Sequence, residues 1–325
     1  MEKPTKPFKS YHTQIKILKE RGLIIKPTEC KRVLQRENYY NIINGYKEIF
    51  LDKNSKEEKY LNGTTFDNIY SLYCFDEGLR NLFLKYILKF ETLLKTKVSY
   101  FHSKYHNIKF NFFDVNNFQG NSSKITKLIS TISNDINKNN IDNIKNSFSH
   151  YLNKHGELPL WVYFQKSNFG VVCYFFEVLK SDIKKEINDE INEEFKYNYK
   201  IKSNNIIDAN KLENLAHFLN KYRNICAHNE RLYFESGKRF KNKKFFLDYS
   251  KYTTQQYRGN IFDLLVVLKI FLLKKDFNKL IEEFEVILEE LKVSLNNLPN
   301  IYSHIENSHL NIPKNWKELL LKFWL

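Results

Sequence analysis

The sequence predicts an all-α protein. Gly and Pro together supply 9 and 6 of 325 residues, well under the roughly 12% of average usage, so turns are few and long helices are the expected material. Apolar residues recur three and four apart over long windows, as one face of a helix demands. A hydrophobic content of 42% with 16% aromatics supplies enough apolar surface to offset the conformational entropy of folding, which excludes a disordered chain.

Residues 11–21 read as a short helix closed by Gly22, and residues 28–50 as a second, started by Pro27 or Thr28. The charged run 52–60 is a solvated loop and a boundary between an amino-terminal helical lobe, residues 1–60, and the rest of the chain. Asn62-Gly63-Thr64-Thr65 caps the most regular helix in the chain, 66–105, with Ile69, Leu72, Leu79, Phe83, Ile87, Phe90 and Leu94 on its apolar face. Residues 107–146 are polar and read as a loop followed by an exposed helix. Pro159 opens a buried helix that breaks or bends at Ser167-Asn168-Phe169-Gly170. A mixed basic and acidic stretch covers 180–205, and Asp208 or Asn210 then caps a helix running to about Arg231. Alternation over 231–249 predicts a small β-hairpin around Ser236-Gly237, and two final helices, 255–274 and 277–291, precede a tail with Trp316 and Trp324. The expected division is a lobe at 1–60, a helical domain at 61–235, and a hairpin with a helical extension at 236–325.

Lys and Arg exceed Asp and Glu by 52 to 37, a net charge of +15. Such a balance favours a polyanionic partner, nucleic acid before an anionic membrane surface, although the bias of an AT-rich genome toward Lys and Asn explains it as well. Arg is more informative, because Arg223, Arg231 and Arg239 fall in one short window. Cys30, Cys74, Cys173 and Cys226 are scattered, which argues against a zinc ribbon, a redox motif or a disulfide framework and predicts reduced thiols in a cytoplasmic protein. The amino terminus lacks the apolar core of a signal peptide, and the most apolar stretch, 261–273, is short and interrupted by Asp263 and Lys269, so no membrane span is expected. His102 and His106 lie four apart, but His150 and His155 add no carboxylate or thiolate at recognisable spacing, so neither a metal nor another cofactor is expected. Asp76 and Arg80, also four apart, read as an ion pair. The basic run 238–244, with Phe240 and Phe245, suits a phosphate backbone or a solvated hairpin edge.

Projected on a helix at about 100° per residue, Leu212, Leu215, Leu219, Tyr222 and Cys226 form one apolar stripe. A second, polar ridge carries His217, Asn220 or Lys221, Asn224, His228 and Arg231. Arg223 lies on the shoulder, about 140° from His228. Periodicity alone favours the plainer reading, in which Arg223 and His228 solvate a helix face or pair with acids such as Glu230. Two such helices about a two-fold axis would bring an Arg and a His from each copy to one cleft. There the imidazole could take the proton from a ribose 2′-hydroxyl while the guanidinium matched the charge developing at phosphorus.

Residues 222–233, read as Tyr-Arg-Asn-Ile-Cys-Ala-His-Asn-Glu-Arg-Leu-Tyr, resemble the signature of the HEPN ribonuclease superfamily in the form carried by Abi-like (AbiD/AbiF) abortive-infection proteins. Further matches fall in order at Lys6-Pro7, Gln14-Ile15, Arg21-Gly22-Leu23, Tyr39-Tyr40, Gly45-Tyr46, Phe66, Leu72-Tyr73, Phe75-Asp76, Leu79-Arg80, Phe90-Glu91, Pro159, Trp161, Ser167 and Phe169-Gly170, so the similarity covers roughly residues 6–235. The resemblance implies a HEPN-type helical bundle with an amino-terminal helical lobe, acting as a metal-independent, toxin-type endoribonuclease in phage defence. It implies Arg223 and His228 as the catalytic pair and Asn224 as the residue that orients them. Arg231, Lys221, His217 and Asn220 on the same ridge are the expected RNA-binding residues. The expected partners are an RNA substrate, a second copy of the chain, and, by the resemblance, a small noncoding RNA antitoxin. The family pattern Arg-Leu-Trp-Asn reads Arg231-Leu232-Tyr233-Phe234 here, which keeps an aromatic and loses the amide. Two other readings of the same residues are a non-catalytic RNA-binding protein and a DNA-binding regulator using the amino-terminal helices.

Overall fold

Thr65 starts the element around which the others assemble. Its hydroxyl accepts the Asn68 N–H at 3.1 Å while the Asn68 side-chain carbonyl accepts the Thr65 N–H at 2.9 Å, a reciprocal cap that satisfies two orphan donors. In the computed structural model, which describes residues 5, 7–139, 146–202, 207–235 and 259–322, this cap opens α3, Phe66–Tyr105, preceded by α1, Tyr11–Glu20, and α2, Pro27–Glu37. At 40 residues α3 is about 60 Å long. Downstream come α4, Ser122–Asn139; α5, Ser147–His155; α6, Leu160–Lys166; α7, Phe169–Glu177; α8, Ser181–Tyr199; and α9, Ala209–Ala227. The carboxy-terminal segment adds α10, Ile261–Phe271; α11, Lys274–Ser294; α12, Pro299–His304; and α13, Trp316–Lys322. Among the described residues the extended pairings are isolated bridges only, so the bundle is all-α as expected.

Helices α6, α7, α8, α9, α10 and α11 all pack on α3. One apolar cluster runs from Ile15 through Leu320 and joins the amino-terminal and carboxy-terminal segments to the middle of the chain. Helix α10 is buried on every side, Asp263 and Lys269 included. Asp263 accepts the Gly259 and Asn260 N–H groups at 2.7 and 3.1 Å, and Lys269 donates to the Leu320 carbonyl at 2.5 Å. Burial pulls the Lys269 ammonium down to about 7. All four cysteines are free thiols. No helix among the described residues is long and apolar enough to cross a membrane.

Two local expectations are corrected, and a further helix is added. The helix expected over 28–50 ends at Glu37, because Asn38 takes φ +65° and its side chain accepts the Tyr40 N–H at 2.9 Å in place of a helical bond. A π-helical turn, Tyr40–Asn44, and a 3₁₀ turn, Lys47–Phe50, come next. The mixed-charge stretch 180–205 holds a regular helix, α8, buried along Ile183, Ile187, Ile191, Phe195 and Tyr199; dense surface charge hides this narrow stripe. The helix capped by Asp208 ends at Ala227, four residues short of Arg231. Of the expected hairpin, 231–235 is irregular, and the remainder with the basic run 238–244 lies outside the described residues.

His102 is fully buried on α3 between the rings of Phe118 and Phe175, 5.5 and 5.0 Å away, with His106 at 4.9 Å. Neither of its ring nitrogens makes a well-formed hydrogen bond, and burial, ahead of the neighbouring His106, lowers its pKa to about 3 despite a weak contact with the Asn111 backbone. The unfolded chain therefore binds a proton at His102 that the folded chain refuses, and stability falls as pH drops below about 6.5. Between pH 7 and pH 5 this loss should reach about 2 kcal/mol. Urea unfolding of the wild type and of His102→Phe at both pH values checks it: the variant should lose correspondingly less stability on acidification, and equal losses would refute the assignment.

Candidate functional site

Helix α9 buries the expected stripe of Leu212, Leu215, Leu219, Tyr222 and Cys226. The Asp208 side chain caps its start by accepting the Lys211 N–H at 2.8 Å. Its end is set by Asn229, which at φ +55° reverses the chain and lets the Glu230 N–H return to the Ile225 carbonyl at 3.1 Å. His228 is the capping residue and Arg231 lies beyond it, so the polar ridge expected to run along one helix is split between a helix and the turn after it.

The segment after that turn is held by Asp76. Its carboxylate, with no exposure, accepts the Leu232 and Tyr233 N–H groups at 3.0 and 2.6 Å, the Tyr46 hydroxyl at 2.7 Å and the Arg80 guanidinium at 2.5 Å. The expected Asp76–Arg80 ion pair is therefore present, but buried, and it joins α3, the amino-terminal segment and the chain leaving His228. Tyr46 stacks on Tyr233 at 5.7 Å and meets Tyr73 edge-on at 5.6 Å. Arg231 donates to the Gly45 carbonyl at 2.8 Å.

Arg223 points elsewhere. Its side chain is 26% exposed, and Nε lies 3.4 Å from Glu91 Oε2 on α3. Glu91 also pairs with Lys95 at 2.8 Å, and Lys95 donates to the Ser167 carbonyl at 3.1 Å between α6 and α7. Neither Arg223 Nε nor Glu91 Oε2 has a well-formed hydrogen bond in this arrangement. Gly170 lets α7 come close, since a Cβ there would stand 3.4 Å from the Asn220 amide nitrogen.

His228 is exposed and lines a groove of about 890 Å3 between residues 37–46, α3 and the segment 228–235. Arg223, Asn224, Asn220, His217 and Lys221 do not line it. Asn224 is exposed; His217 sits 3.5 Å from Glu177 and against the Tyr174 ring; Lys221 is ion-paired to Glu235. One copy of the chain thus brings His228 and Arg231 to one groove and leaves the guanidinium of Arg223 on Glu91, as the 140° offset on an ideal helix requires.

Sequence reasoning missed Glu91 and Lys95 as the neighbours of Arg223, although their i,i+4 spacing on a strong helix was a visible signal. It also missed Asp76 as the anchor of the motif's far end, a contact between residues 156 and 157 positions apart.

Changing Asp76 to Asn removes the charge that compensates Arg80 and supplies a donor where four donors already point. A loss of about 3–5 kcal/mol is expected, read by denaturant unfolding, and a loss below about 1 kcal/mol would show that the network contributes little.

Compared with known families, residues 32–234 match the family model described as Abi-like protein. No curated protein and no solved structure matches the chain.

Proposed function

Since the chain belongs to the Abi-like protein family, we propose that it is a metal-independent, HEPN-type endoribonuclease of the toxin class that acts in abortive infection. The observation that carries the reading is the exposed imidazole of His228, fixed at the end of α9 by the Asn229 reversal and open to a groove large enough for nucleotides. His228 takes the proton of a ribose 2′-hydroxyl, and the alkoxide attacks the adjacent phosphorus. The 5′-oxygen of the next nucleotide leaves with a proton, giving a 2′,3′-cyclic phosphate and a 5′-hydroxyl. Arg223 supplies the guanidinium for the charge on the phosphorane, and Asn224 orients the pair.

Within one copy Arg223 faces Glu91 while His228 faces the groove, so the reading requires a second copy whose α9 completes the site. Glu91 then serves as the carboxylate that steers Arg223, and Arg231 contacts the RNA backbone at the groove mouth. A small noncoding RNA that restrains the toxin is the proposed regulatory partner, and the cytoplasm the proposed compartment.

Incubation of purified protein with total RNA tests this. His228→Ala and Arg223→Ala should keep the helical circular dichroism spectrum, lose about one hundred to ten thousandfold in cleavage rate, and no longer inhibit growth. Cleavage retained in His228→Ala would refute the assignment, and binding without cleavage by the wild type would favour the non-catalytic RNA-binding alternative. Cleavage should persist in EDTA, and its loss there, reversed by added divalent metal, would refute a metal-independent reaction.

A further inference from the structure

The groove beside His228 carries more than a place for the reacting ribose. Two large aromatic side chains from different segments converge on it with exposed surface: Tyr40, 70% exposed on the π-helical turn, and Phe234, 51% exposed beyond the motif and backed by the His309 ring at 4.8 Å. A single exposed aromatic needs no explanation, but two lining one cavity next to the proposed base offer the π-faces on which nucleobases stack. The floor beneath them is already fixed by the buried Asp76, Arg80 and Tyr46 network.

Apart from Arg231, which donates to the Gly45 carbonyl and is the cation left for the RNA backbone at the mouth, the charges in the groove are unsuited to phosphate. Arg80 is committed to Asp76, Glu37 accepts the Tyr73 hydroxyl at 2.9 Å, and Glu235 is paired with Lys221. Glu77 and Glu230 remain, both exposed and lining the groove, with no ion pair among the described residues. A phosphate there would meet two like charges, whereas a neutral base edge made of donors would find acceptors. Guanine presents two parallel N–H groups, N1–H and the 2-amino group, which match the two oxygens of a carboxylate. Adenine and cytosine present one amino N–H beside a ring nitrogen acceptor, which would face the second oxygen unfavourably. Uracil presents its single N–H between two carbonyls.

We propose that this groove is a base-recognition subsite that holds an unpaired guanine next to the scissile phosphodiester, stacked on Tyr40 or Phe234 and read at its Watson–Crick edge by Glu77 or Glu230. This rests on the endoribonuclease reading for its position beside a scissile bond, but the binding itself does not require cleavage.

The test uses the full-length protein and fluorescein-labelled short 2′-O-methyl oligouridine strands carrying one guanine, hypoxanthine or adenine. These strands lack the attacking hydroxyl, so fluorescence anisotropy reads binding alone. The guanine strand should bind at least about fivefold tighter than the hypoxanthine and adenine strands. Tyr40→Ala or Phe234→Ala should weaken the guanine strand by about fivefold or more. Glu77→Gln or Glu230→Gln should erase the difference between guanine and hypoxanthine. Equal affinity for the three strands overturns the proposal, as does unchanged discrimination in both Gln variants, or full affinity in both Ala variants. RNA cleavage without guanine preference would refute this inference alone; guanine preference in a protein that cleaves no RNA would support the subsite and refute the endoribonuclease reading.

Discussion

Burying the Asp76 carboxylate strips it of hydration, and the protein offsets that loss by aiming donors from three separate chain segments at one pair of oxygens. Two donors are main-chain N–H groups at Leu232 and Tyr233, so the network fixes backbone as well as side chains. His228 precedes those residues by a single reversed turn and owes its position to the helix on one side and to Asp76 on the other. The groove walls share that origin, since Tyr46 reaches the same carboxylate and carries the segment of Tyr40 with it.

A second consequence concerns where positive charge is useful. The chain holds 15 more basic than acidic residues, yet many of its lysines are tied to carboxylates on neighbouring helices, as Lys85, Lys89, Lys97 and Lys104 are along α3. Such exposed pairs add little stability each. Around His228 the described carboxylates outnumber the uncommitted cations, so the excess positive charge of the chain lies on surfaces other than this groove.

The long helix α3, its cap, the break at Ser167 and the apolar stripe of α9 were legible because each is a local matter of spacing and capping within a few residues. The misreadings share a physical source. Asn38 and Asn229 take positive φ, a conformation that periodicity does not register, and each ends a helix that the apolar pattern would continue. The candidate site was legible as a set of residue types in one window, but not as a geometry. What separates Arg223 from His228 is the side of α9 each occupies and the identity of its distant neighbours, Glu91 for one and the groove for the other. Those neighbours lie more than one hundred residues earlier in the chain, and only folding reveals them.

Helix α10 lies against α3 and α8, and its last residue, Phe271, packs at 4.3 Å on Phe90, the residue before Glu91. The Tyr222 hydroxyl, one residue before Arg223, donates to the carbonyl of Gly259 at the entrance to the same helix. Both supports of the Arg223 side therefore lean on a layer that follows the signature in the chain. A nascent polypeptide that has exposed the whole signature still lacks the wedge that seats it, so the signature is translated well before its Arg223 side can be supported.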